Sequence, residues 1–402
     1  MKKQLVRWPY LVFAAITMLF VGVIYAWSVL KVPLAQEFQW SNSALALNFT
    51  LTLCFFCIGG IAGSHIMKDS GPRLGLICSA VFILIGFFLS SRLSRNVIML
   101  YVSYAGITGS GIGCAYNILI SAAGTWFPNQ KGSCSGVLMM SFGLSSLLLG
   151  KLADTLFVLN NFGWRKSYLL FGVVIAAVVA LSGLVIKLPT ENTVFPKAKE
   201  KKLTAETFRP EELTTRKMAR RSSFIRFYIY AILTSAVGST VISFARDLSL
   251  SVGATAALAT TLVGVLSLCN GIGRVLCGIL FDAMGRKRTM VLANLITILA
   301  PFIVLLSVKM HSLSLCIAGL CLTGFCYGCS PTISSAFIGT FYGMKHFSSN
   351  FSLANTMLIP SSFAATIASA LLEHFGSYAA PFTMLIIFAA IALALNLSIR
   401  RP

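Results

Sequence analysis

One arginine, Arg274, lies within an apolar stretch that covers residues 254–281, and the nearest acidic residue along the chain is Asp282. A charged side chain at the depth of a lipid bilayer costs about 2.5–3.5 kcal/mol on insertion scales, so an arginine there usually has a function. Asn270 precedes Arg274 by four residues, and residues four apart share one face of a helix. The pair predicts an anion site in a water-filled cavity, because one guanidinium matches one carboxylate in a bidentate geometry.

The cysteines and histidines do not form a recognisable catalytic or metal-binding pattern. Two cysteine pairs have C-x-x-C spacing, Cys54/Cys57 and Cys326/Cys329, but no histidine accompanies either pair. Cysteine also packs well as a small apolar residue, which is the simpler explanation inside apolar segments. The four histidines fall at the ends of predicted apolar segments. We therefore expect no metal site, no cofactor and no enzymatic activity.

The glycine-rich run at 106–113 superficially resembles a loop that binds nucleotide phosphates. Such a loop needs a strand before it and a helix after it. Here the glycines lie in the middle of an apolar segment, where small residues let two helices approach closely. We predict close helix packing for this run.

The composition indicates a membrane protein, since 57% of the 402 residues are hydrophobic and only 11% are charged. About 20 mostly apolar residues are needed to cross a bilayer core of ~30 Å as a helix. Twelve such segments can be drawn, although some lie so close together that ten or eleven spans remain an alternative. Their approximate limits are 9–31, 43–67, 73–92, 97–121, 132–155, 166–188, 224–247, 253–281, 289–309, 313–339, 348–373 and 376–399.

The net charge of +21 would suit a nucleic-acid-binding protein, but its distribution favours a membrane topology. If the N-terminus lies inside, cytoplasmic segments hold 23 of the 32 Lys and Arg residues, outward segments hold eight, and Arg274 is the remaining one. This excess is the positive-inside pattern, which predicts that both termini are cytoplasmic. The first apolar segment is too long for a signal peptide and has no cleavage site after it, so we expect it to stay as an anchor.

Two segments recur with nearly the same offset, which indicates an internal duplication. Gly113-Cys114 is followed by Gly124-Thr125-Trp126-Phe127, and Gly328-Cys329 is followed at the same distance by Gly339-Thr340-Phe341-Tyr342, an offset of 215. The loops Ser70-Gly71-Pro72-Arg73 and Met284-Gly285-Arg286-Lys287 repeat at an offset of 214. Two agreeing offsets predict a duplicated six-helix unit.

A change of composition separates the two halves. Residues 190–222 are rich in Lys, Arg, Glu and Thr and poor in aliphatic residues, so they are predicted to form a basic cytoplasmic linker. The predicted domains are an N-terminal six-helix bundle at 1–189, this linker, and a C-terminal six-helix bundle at 223–402. The fold class is therefore an all-α integral membrane protein with twelve transmembrane helices in two pseudo-symmetric bundles.

The segment from Gly278 to Arg288 resembles the G-x-x-x-D-x-x-G-R-K-R gating loop of the major facilitator superfamily. That resemblance implies two halves that rock about a site near the middle of the membrane. Asp282, at a helix end, is expected to pair with basic groups of a neighbouring span, and Gly285 permits a tight turn before Arg286.

The N-terminal copy of this loop is altered. Ser64 and Lys68 stand where the motif has Gly and Asp, whereas Asp69 and Gly71 remain. Either the gating contact exists in one half only, or Asp69 replaces the motif's carboxylate one residue later. We keep Asp69 and Gly71 as candidate gating residues.

Four further groups of residues resemble the oxalate/formate antiporter family, and more distantly the animal monocarboxylate transporters. These groups are Tyr25-Ala26-Trp27-Ser28, Trp126-Phe127-Pro128 with Lys131-Gly132, Asn270-Gly271-Ile272-Gly273-Arg274, and Gly343-Met344-Lys345 with Asn350. The resemblance implies an organic-anion carrier with Arg274 at the substrate. It also implies substrate contacts from Tyr25, Tyr116 and Tyr327, and Phe142 in the fifth predicted span is expected to line the path.

Two departures from that family bear on the substrate. The oxalate carriers have a second cation in the eleventh span, where this chain has Leu358, and no Lys or Arg occurs between 346 and 373. A family tryptophan in the tenth span corresponds to Thr323. Burying a dianion against one cation leaves an uncompensated charge, which is costly. We therefore predict a monocarboxylate of the formate, lactate or pyruvate type as the substrate.

The coupling mechanism stays open at this level. Asn270 stands where proton-linked monocarboxylate carriers have aspartate, and an amide does not titrate, so uniport, antiport and symport with a proton on the substrate all remain. The expected partners are a small organic anion and the lipid bilayer of a plasma membrane, such as a bacterial inner membrane, with no nucleic acid, and the carrier is expected to be a monomer. Rival functions are an oxalate or dicarboxylate antiporter, a transporter-like anion sensor and a multidrug exporter.

Overall fold

The computed structural model describes residues 7–158, 163–189 and 212–400, and within them the chain is helical throughout, with short connections and no strand. A 3-10 segment, Gly22–Ala26, joins α1 to α2, and a π-helical segment, Tyr101–Thr108, joins α4 to α5. The helices are α1 (Arg7–Val21), α2 (Trp27–Phe38), α3 (Asn42–Ser91), α4 (Val97–Leu100), α5 (Gly109–Trp126), α6 (Lys131–Val158), α7 (Gly163–Val185), α8 (Thr215–Ala219), α9 (Ser222–Ser251), α10 (Ala256–Met284), α11 (Arg286–Lys309), α12 (Leu313–Phe341), α13 (Phe347–Asn355), α14 (Leu358–Phe375) and α15 (Ala379–Ser398).

Eleven helical stretches of the described residues are long and apolar enough to cross a membrane. One of them, Ala44–Ser91, has 48 residues, about twice the length that a bilayer requires. Its backbone is not helical at Gly71, so α3 consists of two helices joined at a sharp turn. Counting its two parts separately gives twelve spans, which confirms the predicted all-α membrane fold.

The same turn occurs once more, between α10 and α11. Gly71 has φ 78° and ψ 176°, and Gly285 has φ 77° and ψ 173°. This region of the backbone map is populated almost only by glycine. The matching dihedral angles at an offset of 214 agree with the duplication that the sequence pattern indicates.

Several spans are interrupted by proline or by a break in the helix. Pro331 lies inside α12. The predicted eleventh span is divided into α13 and α14, and Pro360 lies in the first turn of α14, where its missing N–H is tolerated. The ends of the predicted spans differ from the helices by several residues, most at the first span, which continues through α2 to Phe38.

The glycine-rich run in α5 packs tightly against α3, as predicted from the sequence. A Cβ added to Gly109 would lie 3.1 Å from the Thr52 carbonyl oxygen, and one added to Gly111 would lie 2.9 Å from Cβ of Phe82. Larger residues would push the two helices apart, so the run serves helix packing.

The chain divides into two compact units. The first contains Met1–Asn129, Ser141–Pro210 and His346–Leu353, and the second contains Gln130–Met140, Glu211–Lys345 and Ala354–Pro402. The boundary therefore falls inside α6, after Met140. Most of the predicted linker, residues 190–211, lies outside the described residues. The apolar core of the second unit includes Val237, Val241 and Leu248 of α9.

Candidate anion-binding site

Arg274 lies on α10 and is only 4% exposed. Its Nε donates a hydrogen bond to Oδ1 of Asn270, 3.1 Å away, and its Nη1 donates to the backbone carbonyl oxygen of Met139 in α6. Both acceptors are neutral, so these bonds orient the guanidinium without cancelling its charge. The predicted one-turn relation between Asn270 and Arg274 is therefore a direct hydrogen bond.

Glycines allow the backbones of α6 and α10 to meet beside this arginine. Gly132 and Gly278 face each other, and a Cβ on Gly132 would lie 2.6 Å from the Gly278 carbonyl oxygen. One turn further, a Cβ on Gly136 would lie 2.6 Å from the carbonyl oxygen of Arg274 itself. The close approach explains how the Arg274 side chain reaches a main-chain carbonyl on α6.

The helix α12 packs closely against Asn270. A Cβ on Gly328 would lie 3.0 Å from Oδ1 of Asn270, the same atom that accepts from Arg274. Cys329 donates a weak hydrogen bond from Sγ to the Gly273 carbonyl oxygen at 3.8 Å. Tyr327 of α12, another predicted substrate contact in the second unit, packs its ring against Gly238 of α9. Gly328 thus leaves room for the amide that orients Arg274.

The candidates of the first unit form an aromatic cluster around Phe142 of α6. The ring centroids of Phe142 and Tyr25 are 5.2 Å apart, and those of Phe142 and Tyr116 are 5.0 Å apart, both in edge-to-face geometry. Phe56 of α3 completes the cluster, 5.0 Å from Tyr116. The structure therefore brings three of the predicted residues together, and it adds Phe56, which no motif marked.

The gating candidate Asp282 sits at the C-terminal end of α10 and caps the N-terminus of α6. Oδ1 accepts from the backbone N–H of Gly132 at 3.0 Å, and Oδ2 accepts from both N and Oγ of Ser133 at 2.7 Å. A carboxylate is favourable there, since the first N–H groups of a helix lack intrahelical partners and carry a partial positive charge. We expected only basic groups as its partners, and the main-chain N–H groups are an addition.

A basic group is present nearby as well. The Lys131 ammonium interacts electrostatically with Asp282 and Glu212, and its Nζ donates to the Gly339 carbonyl oxygen at 2.8 Å. Glu212 was not anticipated from the sequence. It accepts from the backbone N–H groups of Met344 and Lys345 at 3.3 and 2.8 Å, and so ties the end of the linker to the loop after α12.

Both copies of the gating loop contain the glycine turn. The contact between a carboxylate and the start of a helix is seen in the second copy, at Asp282. Arg286, after the Gly285 turn, donates to the Ile399 carbonyl oxygen and lies over the Phe341 ring, 5.4 Å from its centroid. In the first copy, Lys68 and Asp69 are both exposed beside the Gly71 turn. Asp282 thus contacts the start of α6, whereas Asp69 is exposed.

In the first unit, the start of α13 is held by an amide. Asn117 of α5 donates from Nδ2 to the Ser348 carbonyl oxygen at 3.2 Å, and Ser348 donates from Oγ to Oδ1 of Asn117 at 2.6 Å. By the internal offset, α13 corresponds to α6. The two helices are therefore held differently at their starts, α6 by a carboxylate that accepts from main-chain N–H groups and α13 by an amide that contacts Ser348.

Leu358 and Thr323 are the two positions at which the sequence departs from the oxalate carriers. Leu358 is the first residue of α14 and is half-buried. Thr323 is fully buried in α12 and donates from Oγ1 to the Gly319 carbonyl oxygen at 2.8 Å. In the described residues, no group of three or more His, Cys, Asp or Glu side chains could hold a metal ion.

The apolar spans of the described residues, one of which holds a buried arginine, indicate a multi-pass membrane protein. A family model described as the Major Facilitator Superfamily matches residues 11–251 and 228–402, and the chain belongs to that superfamily.

Individual proteins agree with this assignment. The chain is 26% identical over 403 residues to the oxalate:formate antiporter of Oxalobacter formigenes, which covers 96% of this chain and 90% of the relative. It is 26% identical over 216 residues to human monocarboxylate transporter 2, covering 52% of this chain and 44% of the relative. These similarities confirm the predicted resemblance to oxalate/formate-type carriers.

Among solved structures, the fold matches that of FucP, a major facilitator transporter in the outward conformation. The TM-score is 0.70 at 14% sequence identity, covering 98% of this chain and 99% of the FucP chain. At that identity the likeness concerns the fold alone. It confirms the major facilitator fold.

Proposed function

We propose that this transporter carries a small monocarboxylate across the membrane by alternating access, with Arg274 binding the carboxylate. The observation that carries the proposal is the buried guanidinium on α10, held in orientation by the neutral Asn270 amide. An oriented guanidinium offers a carboxylate two parallel charge-assisted hydrogen bonds. The charge that makes Arg274 costly in a membrane is what attracts an anionic substrate to it.

The number of cations favours a monoanion over oxalate. Leu358 stands where oxalate carriers have a lysine, and residues 346–373 contain no Lys or Arg. The second carboxylate of oxalate would have to lose its water without gaining a counter-ion, which is unfavourable. Formate, lactate and pyruvate each place a single carboxylate against Arg274.

The aromatic cluster and the relatives support the same substrate class. Tyr25 and Tyr116 would supply hydroxyl donors, and Phe142 a wall, for a small organic acid. One relative, which matches 96% of this chain, is named for oxalate and formate, and formate is a monocarboxylate. We propose Asp282, Gly285 and Arg286 as the gating residues.

An oxalate or dicarboxylate antiporter is the second candidate, favoured by that same relative across 96% of this chain. It requires a second cation at the substrate, which Lys151 of α6 or Lys166 of α7 would have to supply. A cationic-drug exporter would normally use a buried carboxylate for its substrate, and the charge at this site has the opposite sign.

Counterflow in proteoliposomes tests the proposal. Vesicles loaded with unlabelled formate, lactate, pyruvate or oxalate should accumulate the labelled monocarboxylate that the carrier prefers, and oxalate should be a poor exchange partner. Arg274→Ala should abolish counterflow, whereas Arg246→Ala, which removes an exposed arginine of α9, should not. Undiminished counterflow in Arg274→Ala would refute the assignment of this residue.

We propose further that both termini and the linker are cytoplasmic, from the distribution of Lys and Arg. A cysteine at Ala198, in a background without native cysteines, should react with impermeant thiol reagents from the cytoplasmic side only. Reaction from outside would reverse the orientation.

A further inference from the structure

Two of the sequence motifs meet at a residue that lies outside both of them. Lys131 begins α6, and Gly343-Met344-Lys345 follow α12. The residue between them is Glu212, in the last part of the predicted linker. Neither motif contains an acid, so Glu212 supplies the carboxylate for both.

The loop after α12 forms a cradle for the Glu212 carboxylate. Oε1 accepts from the backbone N–H of Met344 at 3.3 Å, and Oε2 accepts from that of Lys345 at 2.8 Å. Successive main-chain N–H groups of this kind attract an anion. Gly343 is buried and has φ 77°, and a Cβ added to it would overlap the carboxylate. We call residues 343–345 the Gly343 cradle, in which glycine is needed both for its backbone conformation and for the room it leaves to Glu212.

The chain after Glu212 is packed against the same end of α12. The N–H of Leu213 donates to the Tyr342 carbonyl oxygen at 3.3 Å, and the Leu213 side chain is buried. At the start of α9, the hydroxyl groups of Ser223 and Tyr342 are joined by a hydrogen bond of 2.8 Å. The chain is therefore bound to the end of α12 both where the linker ends and where α9 begins.

Lys131 links the Gly343 cradle to the gating contact. Its ammonium interacts with the charges of both Glu212 and Asp282, and it donates to the Gly339 carbonyl oxygen at 2.8 Å. Asp282 in turn caps the start of α6. One cation thus serves two carboxylates on different segments, and two carboxylates repel each other once the cation between them is removed.

The place of α6 in the chain makes this shared cation relevant to gating. By sequence α6 belongs to the predicted N-terminal bundle, yet residues 130–140 are part of the second compact unit. Transporters of this architecture work by moving one bundle against the other. The contacts at the start of α6 are therefore expected to open and close in each transport cycle.

We propose that Glu212 is a positioning residue of the gate: seated in the Gly343 cradle, it holds Lys131 together with Asp282, so that the linker end and the start of α6 are held or released together. This role of Glu212 rests on the gating role proposed for Asp282. Because the cradle and the α6 cap share one cation, loss of that cation should loosen both.

Hydrogen–deuterium exchange of backbone N–H groups, followed by mass spectrometry of the purified full-length protein, measures both contacts. The N–H groups at 344 and 345 report the cradle, and those at 132 and 133 report the α6 cap. Glu212→Gln removes the charge but keeps the size, and it should accelerate exchange in the cradle roughly tenfold. Glu373→Gln is the matched control, since Glu373 is another exposed acid of the second unit, and it should leave both rates unchanged.

The decisive variant is Lys131→Met. It should accelerate exchange in the cradle about two- to fivefold, the range of an exposed ion pair, although Lys131 lies on another helix. Lys131→Arg keeps the charge and should restore slow exchange. In the Glu212→Gln background, Lys131→Met should have no further effect on the cradle, because no carboxylate is left there for the cation to hold. An effect that persists in that background would overturn the proposal.

Gly343→Ala tests the cradle from the loop side. The added Cβ would displace Glu212, so exchange at 344 and 345 should be fast and Glu212→Gln should add nothing to it. Gly376→Ala is the control for backbone strain, because Gly376 also has a positive φ, 63°, but a Cβ there meets no atom within 4 Å. Equal acceleration by both glycine variants would overturn the cradle. Should Gly343→Ala fail to fold, the Lys131 and Glu212 variants decide alone.

Substrate separates the gate from the transport function. A monocarboxylate that the protein transports should change exchange in the cradle and at the α6 cap in parallel, since neither contact opens alone. A change at the α6 cap only, or no change while uptake is active, overturns the gating role of Glu212 and leaves the function standing. Absence of monocarboxylate uptake refutes the proposed function, and the Lys131 and Glu212 variants then decide separately whether the two contacts share a cation.

Discussion

Within α10, Asn270 and Arg274 are joined side chain to side chain, with the amide oxygen 3.1 Å from the guanidinium Nε. The amide accepts a hydrogen bond from the cation but does not neutralise it. A carboxylate at the same position would form an ion pair and remove the charge that a substrate needs. We therefore expect an aspartate at position 270 to weaken anion binding by Arg274 at neutral pH.

Asn270→Asp should reduce monocarboxylate uptake at neutral pH by at least about tenfold, because an aspartate beside Arg274 competes with the substrate. The new carboxylate, paired with the Arg274 guanidinium, should have a pKa below the ordinary aspartate value of ~3.9, so the loss should persist between pH 4 and 8. Asn270→Leu, which lacks both the charge and the acceptor, is the control and should show a smaller loss. Initial uptake rates over this pH range measure the difference, and equal losses in the two variants would contradict it.

Arg274→Lys should keep insertion intact but leave weak transport. The ammonium is a point charge without the planar fork, so one charge-assisted hydrogen bond of ~1.5–3 kcal/mol is lost. That loss corresponds to a reduction in uptake efficiency of roughly ten- to a hundredfold. The measurement is uptake against substrate concentration, with protein amount in the membrane as the control. Full activity in Arg274→Lys would show that only the charge matters.

Leu358→Lys should shift the substrate preference toward dianions. The leucine begins α14 and stands where the related oxalate carriers have a lysine, so the substitution adds the missing counter-ion. Oxalate should then inhibit labelled monocarboxylate uptake about tenfold more strongly than in the native protein. Leu358→Met keeps the size without the charge and serves as the control. If the native protein already accepts oxalate as well as any monocarboxylate, the charge-matching argument is wrong.

Asp282→Asn should weaken the cap on α6 and lower the stability of the protein. Removing a negative charge at a helix N-terminus costs about 0.3–1 kcal/mol. Asp69→Asn changes the exposed carboxylate of the other gating loop and should have little effect on stability or transport. Thermal unfolding of both purified variants gives the comparison. A larger effect at Asp69 would show that the first loop carries the contact instead.

Gly71→Ala and Gly285→Ala should each cost about 1–3 kcal/mol of stability, since both backbones occupy a region that side chains strain. An added Cβ at either position meets no atom within 4 Å, so the cost would come from the backbone alone. Gly264→Ala, with equal open space but helical dihedral angles, isolates that effect and should be neutral or stabilising. Unfolding midpoints of the three variants test this, and similar midpoints for all three would contradict it.

The features that sequence could predict are those carried by periodicity and side-chain type. Segment length and apolarity predict the spans, and the four-residue spacing of Asn270 and Arg274 predicts their shared helix face. The repeated Gly71 and Gly285 loops predict two turns of the same kind, since only glycine populates that conformation. In each case the residue types themselves encode the geometry.

The contacts that escaped prediction involve main-chain atoms. The Met139 carbonyl binds Arg274 through a group that every residue has, so no residue type marks it. The partners of Asp282 include N–H groups at the start of α6, which become available only because of where that helix begins. Glu212 is one acid in a polar linker, and only the fold places it beside the loop at Met344.

The contact between Asp282 and the start of α6 bears on the kinetics of a carrier. A contact that is made in one orientation of an empty carrier and broken in the other lowers the free energy of the first, so the first orientation predominates at rest. Half-saturation concentrations then differ between the two faces of the membrane. Because a carrier without an energy source cannot accumulate its substrate, the ratio of maximal rate to half-saturation concentration must be the same in both directions. The face that binds substrate more tightly must therefore transport more slowly at saturation.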